Sequence, residues 1–210
     1  MKYFKYAIYL IVGICSLQAH AGAYDDFFVA VKRNDGASIN ALLRRGFDPN
    51  TRDPQGQVGL ILALRSEDFA AAEALMASPS LQVDLVNGVG ESALMMAALR
   101  GQLTWVQRLL DRGAAVNKEG WSPLHYAASG PDANVVRLLL ERGAVVDAEA
   151  PNRNTPLMMA ARYGKEESVT LLLAQGADPK RMNDRNMTAV DFARGAGRES
   201  LAAMLAKPGG

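Results

Sequence analysis

The chain has 210 residues, of which 49% are hydrophobic and 21% are charged, and its formal net charge is +1. This composition is typical of a folded domain or a short array of repeats, and it excludes a disordered or collagen-like chain. The balanced charge gives no excess of positive charge that would attract the phosphates of a nucleic acid. A single cysteine excludes an internal disulfide framework and a cysteine-based zinc site.

The N-terminus has the pattern of a secretory signal peptide. Lys2 and Lys5 precede an apolar run over 7–17, and a small-x-small cleavage pattern follows. We expect cleavage after Ala21 or, alternatively, after Ala23. The apolar run is about half as long as a membrane span requires, so we expect export without a permanent membrane span. Cleavage would also remove the only cysteine, which suits an oxidising compartment such as the periplasm.

Most of the remaining chain repeats with a period of about 33 residues. An anchor leucine recurs once in each period, and a glycine follows three of these leucines at a constant distance of nineteen residues. The anchors are Leu60, Leu94, Leu124 and Leu157, and the glycines are Gly113, Gly143 and Gly176. A period of this length predicts an array of stacked structural units.

Each period carries signals for two helices. The Ser-Pro at 122–123 and the Thr-Pro at 155–156 are typical helix starts, because the hydroxyl caps free N–H groups and proline suits the first turn. The Arg-Gly at 142–143 is typical of the end of a second helix. We expect the leucine runs 138–140 and 171–173 to form the buried seam of that helix.

Two strings resemble the consensus of the ankyrin-repeat family. They are Gly-x-Ser-Pro-Leu-His-x-Ala-Ala at 120–128 and Asn-Thr-Pro-Leu-Met-Met-Ala-Ala at 154–161. The resemblance implies an all-α ankyrin-repeat solenoid of helix-turn-helix units joined by short β-hairpin-like loops. The predicted organisation is a signal peptide over 1–21 and an ankyrin-repeat domain over 24–206, with about six units at 24–50, 53–84, 87–117, 118–147, 151–180 and 184–206.

The chain departs from this pattern in three loops. The segment 117–120 is three residues shorter than its counterparts, so we expect a shortened hairpin there. Arg153 and Asn186 stand where the turn glycine usually lies. Because arginine adopts a positive φ less readily than asparagine, we expect a different turn over 151–154.

The sequence contains little that would support catalysis. His125 is the only histidine that would remain after cleavage, and Ser122 lies three residues before it. Both belong to the ankyrin-like string, and the resemblance implies that they tie one loop to the next. We therefore predict no catalytic residue, no metal site, no cofactor and no enzyme activity.

Four methionines form two pairs at equivalent positions of the repeat, 95–96 and 158–159. Methionine often fills irregular gaps in a hydrophobic core, which is the first interpretation of these pairs. The alternative interpretation is that the flexible thioethers line an adaptable contact surface or meet oxidants in the periplasm.

The resemblance implies that partners bind the hairpin tips and the exposed ends of the first helices, which line a concave face. Trp121 is notable because a tryptophan at a tip is costly to leave in water and is enriched in interface hot spots. It is predicted either to anchor an interface or to pack into the gap left by the short hairpin. The predicted partner-binding residues are Arg65, Glu91, Leu99, Arg100, Trp121, Asn154, Arg162 and Tyr163.

We therefore expect a monomeric, non-enzymatic module of the periplasm that docks a partner protein on its concave face. One version is a scaffold or accessory factor, including the oxidative-stress role that some periplasmic ankyrin proteins have. The alternative is an immunity protein that blocks a toxin delivered to the periplasm. An enzyme with a cryptic site is disfavoured by the lack of a nucleophile–base pair.

Overall fold

Pairs of short helices follow one another along the chain. The computed structural model describes residues 22–65 and 69–207, so the predicted signal peptide over 1–21 lies outside the described residues. The helices are α1 (22–32), α2 (Gly36–Arg44), α3 (Gly59–Ala63), α4 (Ala70–Met76), α5 (Ala93–Leu99), α6 (Leu103–Asp111), α7 (Pro123–Ser129), α8 (Ala133–Glu141), α9 (Pro156–Tyr163), α10 (Glu166–Ala174), α11 (Ala189–Gly195) and α12 (Glu199–Leu205).

The helices belong to two compact units, the first ending at Gly88 and the second beginning at Val89. In the first unit, α2 and α3 both pack against α4. In the second unit, the first helices α5, α7, α9 and α11 pack side by side, and each also contacts the second helix that follows it. The fold class is an all-α repeat solenoid, as the sequence predicts.

Hydroxyl side chains begin the first helices of the second unit, as predicted for Ser122 and Thr155. The Ser92 hydroxyl accepts a hydrogen bond from the Met95 N–H at 3.2 Å, and the Thr155 hydroxyl accepts one from the Met158 N–H at 3.4 Å. In return, the sulfur of Met95 lies 3.3 Å from the Ser92 nitrogen, and that of Met158 lies 3.4 Å from the Thr155 nitrogen. The thioether thus serves as a weak acceptor that completes the helix cap.

The leucine runs of the second helices are buried only in part. Leu139 and Leu172 are fully buried, whereas the leucines on either side of each are half-buried. Successive residues of a helix point about 100° apart, so three in a row cannot all face the core. The predicted buried seam is therefore confirmed for the middle leucine of each run and is wrong for its neighbours.

The loop before α7 is shortened, as predicted. It spans 112–122, which is eleven residues, whereas the loops 142–155 and 175–188 each have fourteen. The missing residues come from the hairpin tip, because the helix end at Gly113 keeps the left-handed backbone that Gly143 also has, with φ of 92° and 87°.

The turn before α9 does not differ from its counterpart, so that prediction is wrong. Arg153 adopts a φ of 58°, close to the 56° of Asn186 in the turn before α11. The Ala150 N–H donates to the Asn154 carbonyl at 3.0 Å, and the equivalent bond closes the turn over 183–187 at 3.1 Å. These bonds hold the backbone in place, so the arginine accepts a strained conformation rather than changing the turn.

We expect Arg153→Gly to raise the free energy of unfolding by about 1 kcal/mol. The left-handed conformation costs a residue with a Cβ about 1–2 kcal/mol, and the larger entropy loss of glycine offsets part of that gain. The ion pair between Arg153 and Glu149, at 3.4 Å, is solvent-exposed and contributes little. Urea denaturation measures the effect, and Asn186→Gly is the control with a smaller expected gain. A less stable Arg153→Gly variant would contradict the assigned strain.

Candidate functional site

The first helices of the second unit and the hairpin tips that precede them form a surface, which we call the first-helix surface. It consists of α5, α7, α9 and α11 with the tips at 89–91, 120–121, 151–154 and 184–187. Six of the eight predicted partner-binding residues are exposed or half-buried on this surface. They are Glu91, Leu99, Arg100, Trp121, Arg162 and Tyr163.

A cleft of about 220 Å³ opens on this surface beside the shortened hairpin. It is lined by Leu99, Trp121, His125, Tyr126, Ser129 and Met159. The half-buried Trp121 ring meets the His125 ring edge to face, with centroids 5.3 Å apart and an interplanar angle of 72°. Trp121 therefore packs against its own repeat and also presents part of its ring to the cleft.

His125 forms the floor of the cleft and joins two loops. Its Nδ1 lies 2.8 Å from the Ser122 hydroxyl, and its Nε2 lies 2.9 Å from the backbone carbonyl of Asn154 in the next loop. Burial lowers the pKa of the imidazole, although its bonds to backbone carbonyls act in the opposite direction. His125 and Ser122 are each 1% exposed, so the predicted tie between loops is confirmed and the pair is closed to a substrate.

Tyr126 joins the cleft to the preceding hairpin tip. Its hydroxyl donates a hydrogen bond to the carboxylate of Glu91 at 3.1 Å. Burial and the Glu91 carboxylate raise the pKa of Tyr126 to about 12, so the phenol remains protonated over the physiological range. The Glu91 carboxylate is thereby turned toward Tyr126.

Exposed cationic and aromatic side chains lie at the ends of α5 and α9. Tyr163 is 59% exposed, and the guanidinium of Arg162 stacks over its ring at 5.2 Å from the centroid. Arg100 forms the exposed C-cap of α5. Arginine and tyrosine are among the residues that most often dominate protein interfaces.

The four methionines of the two pairs divide between the predicted roles. Met95, Met96 and Met158 are buried, as the core interpretation requires. Met159 is half-buried and lines the cleft, as the contact-surface interpretation requires. The equivalent position on α7 is occupied by Tyr126, so the same helix face supplies two walls of the cleft.

The described residues offer no evident centre for metal chemistry. Within 22–65 and 69–207, no group of three or more His, Cys, Asp or Glu side chains is arranged to hold a metal ion. Asp147 and Glu149 form an acidic pair, but both form ion pairs with Arg181, at 3.5 Å for Asp147.

Among the helices within 22–65 and 69–207, none combines the length and apolar character needed to cross a membrane.

Comparison with known families identifies the repeat. A family model of three ankyrin-repeat copies matches residues 27–117 and 60–150, and the single ankyrin-repeat model matches 152–184. The chain belongs to the ankyrin-repeat family. Ankyrin repeats are protein–protein interaction modules and in general have no catalytic activity of their own, so the exposed first-helix surface is the part of this chain to consider for binding.

Several curated proteins with ankyrin repeats are similar to this chain. The ankyrin repeat and SAM domain-containing protein 6 of Rattus norvegicus is 38% identical over 148 residues, which cover 69% of this chain and 13% of that protein. The transient receptor potential cation channel subfamily A member 1 of Homo sapiens is 26% identical over 179 residues, covering 80% and 16%. The neurogenic locus notch homolog protein 2 of Homo sapiens is 32% identical over 185 residues, covering 77% and 7%. The chain thus spans less than a fifth of each of these relatives.

Asn154 stands at a hairpin position that ankyrin proteins often use for binding, but its side chain is occupied within the fold. It is only 7% exposed, and its amide oxygen accepts a hydrogen bond from the Asn183 amide at 2.8 Å. Buried amides normally find their hydrogen-bond partners inside the protein in this way. The Asn154 side chain is thus engaged within the fold, and its partner-binding role stays a prediction.

Arg65 belongs to the first of the two compact units and is exposed there. It lies two residues after the end of α3, the first helix of its pair, whereas Arg100 directly follows α5. Its predicted role in binding stays a prediction.

Four lining residues of the cleft were absent from the predicted binding set, namely His125, Tyr126, Ser129 and Met159. Tyr126 and Ser129 are three residues apart on α7 and therefore share one helix face. Applying this helical spacing to the ankyrin strings would have found them. Their half-buried state could not be read from the strings, because it depends on the neighbouring helices.

Proposed function

We propose that this ankyrin-repeat protein is a non-catalytic scaffold or accessory factor that docks a partner protein on the first-helix surface. The observation that carries the proposal is the cleft walled by Trp121 and Met159 beside the exposed Arg162–Tyr163 stack. Apolar and aromatic side chains that surround a concavity, with cationic residues near it, have the composition of interface hot spots.

The proposed place of action is the periplasm. This part of the proposal rests on the sequence alone, on Lys2 and Lys5 followed by the apolar run over 7–17 and the alanine-rich cleavage pattern. Fusing alkaline phosphatase after residue 24 tests it, because that enzyme becomes active only when it is exported. An inactive fusion would rule out a periplasmic role.

We expect Trp121→Ala to weaken binding of the physiological partner at least about tenfold, which corresponds to ~1.4 kcal/mol. The substitution removes the largest apolar wall of the cleft. The partner is first captured by crosslinking in the native cell, and its affinity is then measured with purified proteins by isothermal titration calorimetry. Arg162→Ala is expected to act in the same direction.

The matched control for this test is Val145→Ala, which truncates an exposed apolar side chain in the loop that follows the second helix α8. This variant should bind like the wild type. Thermal unfolding of each variant confirms that the fold is intact. If both Trp121→Ala and Arg162→Ala bind the partner with wild-type affinity, the partner does not dock on the first-helix surface.

A further inference from the structure

Charge is distributed unequally between the first and second helices of the second unit. When each helix is counted with its C-cap, the first helices carry three arginines and one carboxylate, and the second helices carry four arginines and five carboxylates. The first set is Arg100, Arg162, Arg194 and Asp191, and the second set is Arg108, Arg112, Arg137, Arg142, Asp111, Glu141, Glu166, Glu167 and Glu199. The first-helix surface is thus the positively charged side of its helix pairs.

The remaining charges on the first-helix surface do not offset this bias. Asp191 accepts hydrogen bonds from both the hydroxyl and the N–H of Thr188, each at 2.8 Å. Its carboxylate is therefore engaged in the helix cap. These bonds lower the pKa of Asp191. The hairpin tips contribute two acids and two arginines, which balance; they are Glu91, Asp184, Arg153 and Arg185.

Two arginines lie next to residues that line the cleft. Arg100 follows Leu99 directly, and Arg162 lies three residues, or about one helical turn, beyond Met159. In the described part of the chain neither guanidinium forms an ion pair with a carboxylate, and Arg162 stacks on Tyr163 instead. Arginines that adjoin the lining residues of an apolar cleft are complementary to carboxylates that flank an apolar side chain.

We propose that the cleft receives one apolar side chain from a continuous acidic segment of the partner, whose carboxylates pair with Arg100 and Arg162. This inference rests on the proposed function, because it concerns the same surface. The cleft, at about 220 Å³, is smaller than the ~300–1,000 Å³ typical of small-molecule sites. It suits a single leucine, methionine or phenylalanine side chain.

A basic side chain of the partner fits the cleft less well. Trp121 and Tyr126 would offer aromatic faces to a cation, and Glu91 would offer a carboxylate. However, the Tyr126 hydroxyl already donates to Glu91, and the positive charges of Arg100 and Arg162 repel a cation. The electrostatics therefore favour an acidic segment.

The test uses a phage-displayed library of random dodecapeptides, selected on the purified protein. We expect the enriched peptides to share an apolar residue with Asp or Glu within four positions of it. Synthetic versions of these peptides should bind at least about tenfold more weakly to Arg100→Glu/Arg162→Glu and to Trp121→Ala. Their affinity should also fall as salt is raised, because salt screens exposed ion pairs.

The matched control is Arg112→Glu/Arg137→Glu, which makes the same change of net charge on the second helices α6 and α8. This variant should keep the peptide affinity of the wild type. An equal loss in both charge-reversal variants would overturn the proposal, because bulk charge would then explain binding. Enrichment of basic peptides that require Glu91 would overturn it in favour of a cation site.

Other outcomes separate this inference from the proposed function. Enriched peptides that require Trp121 but lack acidic residues would overturn the inference and leave the docking surface in place. A dimer in sedimentation velocity that Trp121→Ala dissociates would assign the cleft to a second copy of the chain and overturn the inference. If no peptide is enriched, the inference fails, and if the captured partner also binds Trp121→Ala normally, the proposed function fails with it.

Discussion

Replacing Gly164 with alanine should lower the free energy of unfolding by about 3 kcal/mol or more. A Cβ at this position would lie 2.1 Å from the backbone carbonyl oxygen of Ala128, and 3.0 Å from the Cα of Ala160. Backbone atoms cannot move aside as a flexible side chain can. The variant must therefore push α9 away from α7 or unwind the end of α9.

The end of α9 has little freedom to relieve this clash. The guanidinium of Arg198 donates to the carbonyl oxygens of Ala160, Ala161 and Gly164 at 3.0, 3.0 and 2.9 Å. Moving Gly164 would break these charge-assisted hydrogen bonds at the helix terminus, together with the bond from the Gly164 N–H to the Ala160 carbonyl at 3.0 Å. The steric cost and the hydrogen-bond cost therefore add at one place.

Urea denaturation followed by circular dichroism measures the loss, and Gly195→Ala is its matched control. Gly195 is the last residue of α11, and a Cβ there would meet no atom within 4 Å. Alanine is about 1 kcal/mol more favourable than glycine in a helix, so this variant should be as stable as the wild type or slightly more stable. Similar denaturation midpoints for the two variants would show that α7 and α9 are not held at the observed distance.

We expect His125→Ala to cost about 3 kcal/mol of unfolding free energy, since it creates a cavity below Trp121 and removes the bonds to Ser122 and Asn154. His125→Met is the informative companion, because methionine occupies the equivalent position at Met158 and accepts from the cap N–H there. It should cost only about 1 kcal/mol, for the lost bond to the Asn154 carbonyl. A cost as large as that of alanine would contradict the sulfur-capping role.

A comparison of the wild type with His125→Met tests the titration of His125. Burial lowers the pKa of His125 in the folded state, so the unfolded chain binds its proton at a higher pH than the folded chain. The stability that the neutral, buried His125 imidazole contributes is therefore fully present above the unfolded-state pKa of about 6.5. It is lost as the pH falls below that value, because the unfolded chain then takes up the proton first.

Unfolding curves at pH 7.5, 6.5 and 5.5 measure this dependence. The wild type should lose more stability over this range than His125→Met, in which the group that titrates is absent. The other titrating groups are common to the two proteins and cancel in the comparison. Parallel pH profiles would show that His125 ionises freely in the folded protein.

The helix caps illustrate how much of the fold was predictable. Ser122, Thr155 and Thr188 begin helices as their local chemistry requires, and the second helices end at glycines with φ near 90°, such as Gly143 and Gly176. These features depend on a few adjacent residues, so a single sequence contains the information they need. The backbone of Arg153 was mispredicted because the hydrogen bonds of its hairpin outweighed its local preference.

The candidate site was predictable only where exposure follows from position in the repeat. Arg162 and Tyr163 are exposed as expected at the end of α9, and Trp121 lies at its tip. Asn154 shares the position of Trp121 in the hairpin but turns inward to Asn183. The residues next to Trp121 and Asn154 in sequence do not indicate which of the two turns inward, because that depends on the side chain that the next repeat presents.

The sequence by itself determined the period, the all-α class, the helix starts and the left-handed helix ends, because these are set by neighbouring residues. The tertiary structure alone decided which residues wall the cleft, since Met159 and Tyr126 acquire that role from the packing of α5, α7 and α9. It also decided why Gly164 must be glycine. Its φ of −84° is open to any residue, and the requirement comes from a carbonyl oxygen of the neighbouring helix.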